Sequence, residues 1–202
     1  LIPLVPDAET REQYVRNIIS AYHAATPAQK RRGRSWYRTA HDLAVLMTDG
    51  HARKGAGVIA ALSANKSWAD NVRLAERCLS GDIAGHTRVM LDKVAAIMAG
   101  ADPTSVLPMD LKTGQFYRCI LNPSDPDAVV IDRHAHDIAI GEVWGSRSRG
   151  LSSAKRYALI AHAYREASAR LGMLPQTLQA ITWVRQTESL AGTRGRRKIA
   201  GV

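Results

Sequence analysis

The chain has 202 residues, enough for one large domain or two small lobes, and its 46% hydrophobic and 23% charged residues exclude an intrinsically disordered protein. No stretch approaches the roughly 20 uninterrupted apolar residues of a membrane span. The two cysteines, Cys78 and Cys119, cannot build a disulfide framework, a four-cysteine metal site or an iron–sulfur cluster. Lys and Arg total 28 against 18 acids, a net charge of +10 that favours a polyanionic partner through long-range attraction and counterion release.

Helical periodicity dominates the chain. The opening LIPLVPDAET is too short and proline-broken to read as a secretory leader, and the sparse cysteines fit a reducing cytoplasm. Val15, Ile18, Ile19 and Tyr22 form a one-faced stripe behind a candidate cap at Thr10. A basic cluster, Lys30-Arg31-Arg32-Gly33-Arg34, follows, and shorter helices are expected over 35–49, 54–64 and 67–79. Met90, Val94, Ile97 and Met98 repeat the stripe up to Gly100, which suits a helix stop. Further helices are expected over 111–121, 134–140 and 175–186, with a long one carrying Tyr157, Ile160, Tyr164, Ala167 and Leu171 and ending at Gly172. The β-rich run Ala128-Val129-Val130-Ile131 is too short for a sheet and reads as a buried extended segment entering a helix. Gly and Arg after residue 190, including Arg194-Gly195-Arg196-Arg197-Lys198, suggest a basic flexible tail over 191–202.

Three segments carry candidate chemistry. In Val130-Ile131-Asp132-Arg133-His134-Ala135-His136-Asp137 an apolar run delivers Asp132 to the head of a helix, where backbone N–H groups favour a negative charge. The plain alternative is an ordinary N-cap. His134 and His136 point to different helix faces and fit packing better than metal ligation. In Leu107-Pro108-Met109-Asp110-Leu111-Lys112-Thr113, a turn leads into a helix that starts near Lys112. In Ala60-Ala61-Leu62-Ser63-Ala64-Asn65-Lys66-Ser67-Trp68-Ala69-Asp70, Ser67 and Asp70 make a variant of the capping box.

Together these segments resemble the helix-hairpin-helix DNA glycosylases, the superfamily of endonuclease III and the adenine and 8-oxoguanine glycosylases. The hairpin LPGVGxKTA of that superfamily is matched by Leu107-Pro108 and Lys112-Thr113, with Met109-Asp110-Leu111 in place of Gly-x-Gly and one residue shorter. Its VDTHVxR segment is matched by Val130 or Ile131, Asp132 and His134, and its LLSxQ loop by Leu62-Ser63-Ala64-Asn65. The shared segments span about 55–141, and the departures suit a divergent, phage- or actinobacterial-type branch.

The resemblance implies an all-α, two-lobed glycosylase-like domain over 1–190, one lobe from 1–50 with 141–190 and the other from 51–140. It implies a DNA N-glycosylase, with or without lyase activity, that flips a damaged or modified base from duplex DNA and cleaves its N-glycosidic bond. Asp132 would stabilise positive charge on the sugar, and Lys112 would attack C1′. Asn65, Lys66, Thr113, Arg133 and Lys93 would contact DNA, while Trp68, Tyr117 and His134 would border the flipped base. No cofactor or metal is expected, and the protein is expected to act as a monomer near DNA in a bacterial or phage-infected cytoplasm. Two alternatives keep the fold: a phage-type transferase that enlarges a modified base without releasing it, and a DNA-binding protein without catalysis.

Overall fold

The computed structural model describes residues 1–199, with side chains as far as Gly192. Among the described residues the protein is all-helical, with ten helices and no strand. They are α1 (Ala8–His23), α2 (Pro27–Leu46), α3 (Ala52–Ala61), α4 (Trp68–Leu79), α5 (Arg88–Met98), α6 (Pro103–Val106), α7 (Lys112–Leu121), α8 (Arg133–Ile140), α9 (Ala154–Arg170) and α10 (Pro175–Ile199). The basic tail expected over 191–202 falls on α10 as far as Ile199, and its side chains from Thr193 onward lie outside the described residues.

Several boundaries differ from the periodicity reading for local reasons. The cap of α1 is Asp7, whose Oδ1 accepts the Thr10 amide at 2.6 Å, so Thr10 sits inside the helix rather than at its start. α2 begins eight residues earlier than expected, because Thr26 and Gln29 form a reciprocal capping box around Pro27. That places Lys30–Arg34 on the first turns of a helix. Gly100 follows the C-cap of α5 with φ +100°, as its position suggested.

The chain divides into two compact units, one made of Leu1–Trp36 with Ile131–Val202 and the other of Tyr37–Val130. The sequence reading put these crossings near 50 and 140. The second half of α2 belongs to the middle unit, and α8 belongs to the unit that contains both ends of the chain.

In the terminal unit, α1 packs on α8, α9 and α10 around buried Val15, Ile18, Ile160, Tyr164, Leu178 and Ile181. Gly33 permits α2 to cross Ile181 closely, since a Cβ there would stand 2.5 Å from the Ile181 Cα. In the middle unit α3 is central and packs on α4, α5, α6 and α7, and every residue from Gly55 to Ala61 is buried. The turn before α7 folds so tightly that a Cβ on Gly114 would lie 2.3 Å from the Met109 Cα and 2.5 Å from the Pro108 carbonyl.

The run Ala128–Ile131 is buried and lies outside any helix or strand. Side chains take the place of a neighbouring strand. Asp125 Oδ1 accepts the Ala128 amide at 2.9 Å, Gln115 Oε1 accepts that of Val129 at 3.2 Å, and the Tyr157 hydroxyl accepts that of Ile131 at 2.9 Å. Buried N–H groups must find acceptors somewhere, and these three meet that demand.

Candidate functional site

Asp132 stands where this run meets α8, in the terminal unit. Its Oδ1 accepts the backbone amides of His134 and Ala135, both at 2.9 Å, so the carboxylate caps the helix. Its Oδ2 accepts the indole N–H of Trp183 on α10 at 3.1 Å. Trp183 in turn packs edge-on against Trp36 of α2, with ring centroids 6.0 Å apart. Three donors from two elements therefore fix one half-buried carboxylate, whose Oδ2 still has a lone pair to spare. An N-cap needs only the first two of those bonds.

His134 lies beside this carboxylate. Burial pushes its imidazole below the usual histidine range, against the pull of Asp132, with Arg133 pushing the same way as burial. Arg133 is exposed, and its Nε donates to His134 Nε2 at 3.2 Å, a bond that only the neutral ring accepts. His136, by contrast, is 0% exposed and faces the core, where its ring meets Trp144 edge-on at 4.8 Å. Its Nδ1 lies 3.1 Å from Asp137 Oδ1, and Asp137 takes a two-pronged grip from Arg149 at 2.6 and 2.7 Å. The two histidines thus belong to different environments, and among the described residues no group of three or more His, Cys, Asp or Glu side chains is placed to hold a metal.

The other expected site residues lie in the middle unit. Lys112 is the first residue of α7, half-buried, with Thr113 behind it, and no side chain caps that helix start. Phe116, one turn later, meets Trp68 at 6.4 Å and Tyr37 at 6.4 Å, both edge-on. The first turns of α7 and α4 are thereby brought together through Phe116, with Lys112 on its face of the helix. Asn65 and Lys66 are exposed in the turn between α3 and α4, where Asn65 takes the left-handed conformation with φ +57°. Ser67 caps α4 through the Asp70 amide at 3.1 Å, the variant capping box read from the sequence. Lys93 is half-buried on α5. Tyr117 is 1% exposed and packs as core, and burial pushes its hydroxyl above the usual tyrosine range. The sequence offered it as a pocket aromatic, but its helical position turns it inward.

Lys112 and Asp132 thus head helices in different units, although the sequence reading assigned both to one lobe. Trp183 as a partner of Asp132 was beyond local sequence reading, because the two lie 51 residues apart.

On the cationic side, Arg31 and Arg34 of α2 are exposed and have no carboxylate partner among the described residues, whereas Arg32 pairs with Glu188 at 2.5 Å. No described helix is long and apolar enough to cross a membrane.

The profile of one protein family, described as a family of unknown function (DUF7178), matches residues 2–190. No curated protein and no solved structure gives a significant match.

Proposed function

Since the chain belongs to DUF7178, a family of unknown function, we propose from its own residues that it acts on a base in duplex DNA as an N-glycosylase, with Asp132 and Lys112 as its chemical groups. The observation that carries this reading is the Asp132 carboxylate, held by three donors at the head of α8 and still half-exposed. Supporting it are the exposed Arg31 and Arg34, which pair with no carboxylate among the described residues, and a net charge of +10. The division into a unit built from both chain ends and an inserted middle unit also accords with the two-lobed plan that the resemblance implies.

In the reaction, the bond between C1′ and the base nitrogen breaks and its electron pair leaves with the base. The sugar becomes electron-deficient at C1′ and its ring oxygen. A fixed carboxylate stabilises that charge without having to reorganise as it develops. Water then adds at C1′ and loses a proton, or the amine of Lys112 adds instead; loss of a proton from its nitrogen and opening of the sugar ring, in which the C1′–O4′ bond breaks and O4′ takes up a proton, then give a Schiff base.

The test is a panel of duplexes carrying damaged or modified bases, incubated with and without borohydride. Base release that disappears in Asp132→Asn is the expected result, and borohydride should trap a protein–DNA adduct that Lys112→Gln cannot form. A folded protein that binds duplex DNA and changes no base in the panel would overturn the reading. An enlarged nucleoside in place of a free base would assign group transfer instead.

A further inference from the structure

Two buried polar side chains flank the α3–α4 turn without any hydrogen-bond partner. Asn71 is 2% exposed and its Oδ1 meets no donor, and Ser63 is 6% exposed with its Oγ equally unmet. Such groups normally find partners, and leaving one unpaired works against folding. Neither has a structural task that would explain its polarity. The cap of α4 is Ser67, and the bonds that hold the buried run Ala128–Ile131 come from Gln115, Asp125 and Tyr157. Other buried polar groups of the middle unit do pair, since Thr48 donates to the Ala44 carbonyl at 2.6 Å and Gln115 uses both ends of its amide, while the Tyr117 hydroxyl on α7 is unmet like Ser63 and Asn71.

Aromatic rings stand near Asn71. Asn71 lies one turn after Trp68 on α4, so the two share a helix face, and Trp68 stands edge-on to Phe116. Lys112 precedes Phe116 by one turn of α7. The turn itself is held in shape by His86, whose Nε2 lies 3.0 Å from the Ala64 carbonyl oxygen.

We propose that Ser63 and Asn71 are specificity-determining residues that read the hydrogen-bonding edge of a planar nitrogen heterocycle, a nucleobase, lodged beside Trp68 and Phe116. The inference rests on the base-acting reading above and gives it a recognition element. Asn71 Oδ1 accepts an N–H of the heterocycle, and the Ser63 hydroxyl donates to or accepts from a neighbouring edge atom. The unmet polarity of the free protein is then met in the complex. A site of this kind rejects a ring that lacks the matching donor, because the protein groups would stay buried and unpaired.

The probes are free adenine, guanine, cytosine, thymine, uracil and hypoxanthine at millimolar concentration, with thermal unfolding midpoints as the readout for the wild type, Asn71→Leu and Ser63→Ala. At least one base should raise the wild-type midpoint and leave Asn71→Leu unmoved, with Ser63→Ala giving a smaller shift than the wild type. Without any base, Ser63→Ala should melt no lower than the wild type, since it loses only an unpaired group. The proposal is overturned if no base shifts the wild type, or if the shifts are the same in both variants as in the wild type. Should Asn71→Leu fail to fold, Ser63→Ala decides alone. Duplex binding and base release are measured separately. A base-dependent shift in a protein that does not bind duplex DNA would keep this pair as a heterocycle site and sink the DNA reading alone.

Discussion

Replacing Asp132 separates its two tasks, because the structure assigns them to different oxygens. Oδ1 caps α8 and Oδ2 accepts from Trp183. Asparagine is as good an N-cap as aspartate, so Asp132→Asn keeps the first task with its carbonyl oxygen on the helix side. Its NH2 group then faces the Trp183 N–H, donor against donor. The bond lost is charge-assisted, worth about 1.5–3 kcal/mol. For a chain of this size each kcal/mol lowers the melting temperature by about 2–4 °C, so a fall of roughly 3–12 °C is expected. Asp132→Ala also loses the cap, adding about 0.5–2 kcal/mol. Trp183→Phe removes the indole donor while leaving the charge in place, so it isolates the structural loss. Base release at equal folded fraction is the deciding assay. Asp132→Asn should lose at least about 100-fold, corresponding to about 2.7 kcal/mol of transition-state stabilisation. Trp183→Phe should lose far less. If Asp132→Asn were folded and released base within about threefold of the wild type, the carboxylate would be a cap and nothing more.

Other outcomes follow from the packing. Gly114→Ala should cost about 3 kcal/mol or more, because its Cβ would meet the Met109 Cα and Pro108 carbonyl, both backbone and unable to give way; chemical denaturation measures it. Arg149→Met should cost about 3–5 kcal/mol by leaving Asp137 buried without its two-pronged partner. Acid should destabilise the terminal unit in two stages. Burial lowers the His136 pKa below 6.5 against the pull of Asp137, with Arg149 adding to the lowering, so the unfolded chain binds that proton first and stability falls as pH drops below about 6.5. Burial raises the Asp137 carboxyl, but the bonds from Arg149, His136 and the Trp144 amide outweigh it and hold its pKa below 3.8, so that contribution persists above about pH 4 and is lost in stronger acid. His136→Phe should flatten the first stage in pH-dependent unfolding curves. Finally, Cys78 and Cys119 are buried with their thiols pushed up by burial, so a thiol reagent should label them only as denaturant unfolds the chain.

What the sequence disclosed was mostly local. Helix faces follow from apolar spacing, and Asp132 as a cap follows from the abrupt end of Ala128–Ile131. The Ser67–Asp70 start of α4 was equally legible. The Thr26–Gln29 box was present in the same form and would have placed the start of α2 correctly. What stayed hidden depends on pairs far apart in the chain. Periodicity cannot show that Trp183 reaches Asp132, or that Tyr157 accepts from Ile131. Nor does it reveal a missing partner: Ser63 and Asn71 look like ordinary polar residues until burial shows that nothing meets them. The lobe boundaries were displaced for a related reason, since α2 and the run before Asp132 read as ordinary segments and nothing in their composition marks a crossing.

The bond between the Trp183 indole and Asp132 also gives the protein an optical reporter at the carboxylate proposed to act on the base. Excitation of an indole draws electron density away from its pyrrole nitrogen, so an anion beside that nitrogen stabilises the excited state and shifts its emission to the red. Removing the charge in Asp132→Asn should move Trp183 emission to the blue. A cationic group drawn against the carboxylate during turnover should do the same transiently, making stopped-flow fluorescence a direct view of Asp132 at work.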